Sequence, residues 1–117
     1  MHKGERIPLT QVKSKLSNAI LEMTRKRLGC IGIISKKKHL KGIITDGDLR
    51  RHMNNNILNK NVSEIMKSNP KTVVQEMLVS DALKFMEENK ITQVFIVKNK
   101  KPIGILHIHD CIELGLI

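Results

Sequence analysis

Two short constellations in this chain place polar groups at spacings suited to chemistry. The first is Thr45-Asp46-Gly47-Asp48, followed by Leu49-Arg50-Arg51. A hydroxyl and a carboxylate three residues apart fall on one side of a helix start. Unpaired backbone N–H groups at such a start attract anions, and a hydroxyl beside them can bind phosphate oxygens. The carboxylate of Asp48 would repel phosphate but suits a ribose diol, whose hydroxyls donate. The same Thr-x-x-Asp pattern also reads as a capping box, with both side chains satisfying the helix end. The two uses are compatible if they alternate between empty and liganded states.

The second constellation is His107-Ile108-His109-Asp110. Alternate residues on a strand share a face, so two imidazoles with Asp110 beside them have the donors to chelate a metal. No other His or Cys is placed by sequence to complete that set, and we read the histidines as helix-start donors or ligand contacts instead. Cations flank the first constellation. Arg25-Lys26-Arg27 stands where cations offset a helix C-terminus, and Arg27 can also face an anionic ligand. Arg50 and Arg51 lie one turn beyond Asp48, and a guanidinium fork suits phosphate or carboxylate.

These residues must be positioned by repeated elements. Leu16, Ala19, Ile20 and Met23 run i, i+3, i+4, i+7, and Val79, Ala82, Leu83 and Met86 repeat the pattern 63 residues later. Each set is one apolar helix face. An apolar run follows each helix, Cys30–Ile34 and Gln93–Val97, then a lysine-rich turn at 36–39 and 98–101. Gly42-Ile43-Ile44 and Gly104-Ile105-Leu106 come next, and each leads through Asp48 or Asp110 into helical sequence. The offset falls to 62 after the turn, as expected if the second turn is one residue shorter. The unit is therefore helix–strand–turn–strand–helix, with antiparallel strands because the turn is too short for a parallel crossover. Thr72-Val73-Val74 reads as a lead-in strand, and Leu9-Thr10 as its weaker counterpart. One such unit leaves a sheet face uncovered. The expected fold is α/β: two pseudo-twofold repeats, 1–58 and 59–117, packed through their sheets with clefts between them.

Composition narrows the function classes. The chain has 117 residues, 40% of them apolar, which supports a core. Its longest apolar runs fall far short of the roughly 20 residues that span a bilayer. The opening Met-His-Lys-Gly-Glu-Arg lacks the apolar stretch of a secretory signal. Two cysteines, Cys30 and Cys111, exclude a disulfide scaffold on count and suggest buried thiols in a reducing cytoplasm. The net charge is +10. Residues 1–58 carry 13 Lys/Arg against 4 Asp/Glu, and the rest carry 8 against 7. The excess in the first half points to a small anionic ligand or to a solvated lysine surface. The two aromatics, Phe85 and Phe95, sit in apolar-periodic contexts, so stacking platforms for nucleic acid are missing. No nucleophile–base pair or phosphate-loop glycine pattern marks an enzyme.

Gly42-Ile43-Ile44-Thr45-Asp46-Gly47-Asp48-Leu49, the segment Val62-Ser63-Glu64-Ile65-Met66 with Asn69-Pro70-Lys71-Thr72-Val73, and the 62–63-residue period together resemble a tandem pair of cystathionine-β-synthase-type (CBS) domains. The stretches 21–29, 45–51 and 106–117 resemble, more narrowly, the C-terminal CBS pair of bacterial arabinose-5-phosphate isomerases. In that family a sugar-isomerase (SIS) domain interconverts ribulose 5-phosphate and arabinose 5-phosphate for synthesis of the lipopolysaccharide sugar Kdo. Met1–Gly4 looks like the interior of a repeat opening, so the chain is expected to be a regulatory, non-catalytic part of such an enzyme. The resemblance implies a cytoplasmic homodimer of CBS pairs, partnered by its own SIS domain. It requires no cofactor and implies a regulatory ligand, either CMP-Kdo or an adenine nucleotide. The expected ligand contacts are Arg27, Thr45, Asp46, Asp48, Arg51, Thr72, His107, His109 and Asp110. The second repeat departs from the pattern: His107 replaces the hydroxyl of Thr45 and His109 replaces Gly47. A ligand-free oligomerisation scaffold is the alternative, and a basic nucleic-acid binder a weaker one.

Overall fold

The computed structural model describes residues 7–53 and 56–109. The described residues divide into two compact units, Pro8–Pro70 and a second formed by 71–109 with Ile7. In the first unit β1 (Leu9–Gln11) leads to α1 (Leu16–Lys26), β2 (Cys30–Ile34), β3 (Leu40–Thr45) and α2 (Asp46–Arg51). A 3₁₀ turn (Ile57–Asn59), α3 (Val62–Ile65) and β4 (Lys67–Ser68) complete it. The second unit contains β5 (Thr72–Val74), α4 (Val79–Asn89), β6 (Gln93–Lys98) and β7 (Lys101–His107).

Each unit has its own sheet, ordered β1-β2-β3-β4 and β5-β6-β7. The expected hairpins are antiparallel, with Cys30 opposite Thr45 and Gln93 opposite His107. Both lead-in strands run parallel to the hairpin's first strand. The connecting turns differ by one residue, which is where the repeat offset changes. In the first, Ser35 and His39 are joined by a backbone bond of 3.0 Å around Lys36–Lys38, with Lys38 in the left-handed region. In the second, Lys98 opposes Lys101 across Asn99-Lys100, both at positive φ, the geometry of a tight type I′ hairpin.

Each core follows from side-chain periodicity. Leu16, Ala19 and Met23 of α1 meet Ile31 and Ile33 of β2, alternate residues on one sheet face, together with Ile44, Ile57, Val62 and Ile65. The second core joins Ala82, Leu83 and Met86 to Val73, Val94, Ile96 and Leu106. Each Leu, Ile, Val or Met among them contributes about 1.5–3 kcal/mol on burial. Val79, expected on the buried face of α4, is instead exposed, because it opens the helix beside the exposed Met77 and Leu78.

The segment 59–70, assigned by sequence to the second repeat, packs within the first unit. Val62 and Ile65 enter the first core. Leu16 donates its N–H to Lys60, and Val62 donates to Ser14. No helix among the described residues is long and apolar enough to cross a membrane.

Candidate functional site

The hairpin pairing of Cys30 with Thr45 sets the first constellation beside the loop that follows α1. Asp46 donates its backbone N–H to the Gly29 carbonyl at 3.0 Å. The chain then turns into α2, with Thr45 as an extended N-cap. The Thr45 hydroxyl oxygen accepts the Asp48 N–H at 3.2 Å. The Asp48 carboxylate answers through Oδ2, accepting the Thr45 N–H at 2.9 Å and its hydroxyl at 3.0 Å. The capping box is therefore formed. Two cations take the other oxygen: Arg51 Nη2 bonds to Oδ1, and Lys67 Nζ lies 3.4 Å from it.

Asp48 is buried, with 2% of its surface exposed. Burial alone would push its carboxyl up. The Thr45 N–H, the Arg51 guanidinium, the Thr45 hydroxyl and the Lys67 charge outweigh burial and hold it below the usual carboxylate value. The result is a fixed anion with a committed oxygen, Oδ2, and a second, Oδ1, shared between two partly solvated cations.

The remaining first-unit residues lie around this junction in different ways. Arg27 is the C-cap of α1, with φ 59°, and donates its N–H to Met23. Its side chain is exposed, as is that of Asp46. Gly47 sits between two guanidiniums: a Cβ added there would lie 3.3 Å from Arg51 Nη1 and 3.8 Å from Arg50 Nη2. Cys30 is fully buried, and burial, with Asp46's charge adding to it, pushes its thiol up to about 12. Such a thiol stays protonated and does not act as a nucleophile.

Thr72, His107 and His109 belong to the second unit and form a different arrangement. Thr72 is half-buried on β5, opposite Phe95. His107 ends β7, and its Nδ1 accepts the His109 N–H at 3.1 Å. The two rings stack, with centroids 4.6 Å apart and planes 6° from parallel. Parallel rings do not aim their lone pairs at one point. Among the described residues no three His, Cys, Asp or Glu side chains gather as a metal site. Asp110 and Cys111 lie outside the described residues.

Sequence reasoning missed Lys67. It is 19 residues beyond Asp48, so no local motif joins them. The link is the register of β4, which places Lys67 opposite Ile43, two residues before the junction. Gly42 carried the signal for that close approach. A Cβ on Gly42 would meet Met66 Cγ at 2.9 Å and the Lys67 carbonyl at 3.0 Å.

Known proteins share both the sequence pattern and the fold. The chain spans 37% of the Pseudomonas aeruginosa arabinose 5-phosphate isomerase KdsD, with 39% identity over the whole of its own length. A solved structure of CBSX2 in complex with AMP superposes with a TM-score of 0.84 at 20% identity, over 99% of this chain and 92% of that one. The cytosolic domain of the Mg2+ channel MgtE in complex with ATP gives 0.79 at 16%, over 97% of this chain and 46% of that one. The CBS-domain family model matches residues 7–55 and again 62–116, so the chain belongs to the CBS-domain family and carries a pair of its repeats.

Proposed function

We propose that this chain is the ligand-sensing regulatory module of an arabinose-5-phosphate isomerase, and that it binds a nucleotide or nucleotide-sugar, CMP-Kdo or an adenine nucleotide. The observation that carries this reading is the Thr45–Asp48 junction. It holds a buried, ionised carboxylate, a hydroxyl and a guanidinium within one hydrogen-bonded group. A carboxylate kept ionised accepts from a ribose diol, and the Arg51 guanidinium offers donors to phosphate. Asp46 and Arg27, both exposed, are further proposed contacts of the first repeat. Thr72, His107, His109 and Asp110 form the proposed contacts of the second repeat, a weaker or differently selective site.

Support comes from proteins to which the chain is similar. Arabinose 5-phosphate isomerases match it end to end, and the CBSX2 and MgtE structures hold AMP and ATP. In this reading an attached SIS domain carries the catalysis in the cytoplasm, within the Kdo branch of lipopolysaccharide synthesis, and the pair forms homodimers. Ligand affinity differing between two arrangements of the module then biases that domain. Isothermal titration of the chain with AMP, ATP and CMP-Kdo tests the reading. One of them is expected to bind with sub-millimolar affinity, and Asp48→Asn to weaken it about tenfold, the loss of one charge-assisted hydrogen bond. Absence of binding by all three at millimolar concentration overturns it.

A second reading, a scaffold without ligand, is favoured by one feature. Val74, Met77, Leu78 and Val79 are all exposed along one stretch of the second unit. Sedimentation of a Leu78→Lys variant tests it: the scaffold reading requires a change in assembly with no nucleotide present.

A further inference from the structure

The two oxygens of Asp48 are held differently. Oδ2 closes the capping box with Thr45 and is needed there to satisfy the start of α2. Oδ1 has no part in the box and meets only cations, Arg51 and Lys67, among the described residues. Oδ1 is therefore the oxygen a ligand hydroxyl can claim while α2 stays capped.

The two cations on Oδ1 are tethered differently. Arg51 lies on α2 itself, three residues on, and moves with Asp48. Lys67 comes from β4, and its pair with Asp48 links elements distant in sequence. The pairs Arg25–Glu22 and Lys84–Glu88, by contrast, join residues three and four apart. β4 is a two-residue strand held to β3 through Gly42–Ser68 and Ile43–Lys67, with Asn69 donating to the Lys41 carbonyl at 3.3 Å. Lys67 itself is largely exposed, so its ammonium can leave for water at small cost. From Pro70 the chain continues into the second unit.

Given that Asp48 meets a ligand diol, as proposed above, we infer that Lys67 is an intramolecular competitor for Asp48 Oδ1 that sets ligand affinity. Binding of a vicinal diol displaces the ammonium, and β4 loses its tie to the α2 junction. Lys67 is thus a specificity-determining residue. It taxes every ligand that uses Oδ1 and leaves untaxed a ligand that does not. Site occupancy is thereby coupled to the segment that leads out of the first unit.

The experiment measures binding of AMP, ATP, CMP-Kdo and 2′,3′-dideoxy-AMP to the whole chain and to Lys67→Met and Lys67→Arg variants. Met keeps the apolar stem and drops the charge. The inference expects Lys67→Met to tighten whichever diol ligand binds by about three- to fivefold, the release of one half-solvated ion pair. It expects no tightening for the dideoxy compound, and near wild-type behaviour for Lys67→Arg. Unchanged affinity for the diol ligand in Lys67→Met overturns the competitor role, and so does weakened affinity, which would make Lys67 a direct ligand contact. A wild-type chain that binds none of AMP, ATP and CMP-Kdo overturns the functional reading first, and the competitor role with it. Hydrogen exchange at residues 67–69 supplies the second readout: it is expected to quicken on ligand binding, and slower or unchanged exchange removes the coupling to β4.

Discussion

The ends of β3 and β7 occupy equivalent places in the repeat and carry different chemistry. At the end of β3 a compact hydroxyl reaches the N–H three residues on, and a buried carboxylate returns the bond. At the end of β7 an imidazole reaches only two residues on, to His109, and stacks on that residue's ring. The first junction also gathers two cations, because β4 lies along β3 and delivers Lys67. The second sheet has no described strand beyond β7 to deliver a counterpart. Duplication preserved the backbone path, and the local charge was free to diverge.

The largest way to break this comparison is to remove the carboxylate. Asp48→Ala leaves the Thr45 N–H and hydroxyl without their acceptor and two cations without a counter-charge. The expected loss is about 3 kcal/mol, read as a shift in the urea midpoint at constant slope. Acid does the same reversibly. The folded-state carboxyl of Asp48 lies below its unfolded value near 3.9, so its contribution is fully present above about pH 5. It is lost as pH falls through the folded value. Wild-type and Asp48→Asn midpoints are therefore expected to differ at pH 7 and to converge as pH falls below the folded-state value. A constant difference across that range would place the effect in packing instead of charge.

Closing the space between β3 and β4 comes next. Gly42→Ala drives a methyl against Met66 Cγ and the Lys67 carbonyl, and a backbone carbonyl cannot swing aside as a side-chain end can. The expected cost is about 2 kcal/mol, as for other overpacked sites. If Met66 is also reduced, in Gly42→Ala with Met66→Ala, only part of the cost should return, because the Lys67 carbonyl stays. Full recovery would show that the sulfur side chain alone sets the approach.

Much of this was legible in the residues, for identifiable reasons. The apolar periods of 16–23 and 79–86 pointed to both long helices, although Val79 at the start of the second stays exposed. The one-residue loss between Lys36–Lys38 and Asn99-Lys100 was visible as a change of offset, because hairpin turns tolerate only discrete lengths. Thr-x-x-Asp showed the capping box, a contact between near neighbours. Lys67 was invisible because its meeting with Asp48 depends on strand register, which no periodicity within 59–70 encodes. The packing of that stretch on the first unit was hidden for the same kind of reason. Val62 and Ile65 look like the opening of a repeat, and only the 3D path shows them filling the core beneath α1.

The smallest expected effect tests the second junction by making it resemble the first. His107→Ala removes the Nδ1 acceptor and should cost about 0.5–1 kcal/mol, the usual net value of one hydrogen bond exposed to competing water. His107→Thr keeps a side-chain oxygen that can accept the His109 N–H but gives up the stacked ring, so its stability should fall within about 0.5 kcal/mol of the wild type. The tautomer supplies a sharper readout than either midpoint. Nδ1 accepts a hydrogen bond, so the neutral ring must carry its proton on Nε2, and nitrogen chemical shifts report that directly. Finding the proton on Nδ1 would break the proposed equivalence, because Nδ1 would then have no lone pair with which to accept the His109 N–H.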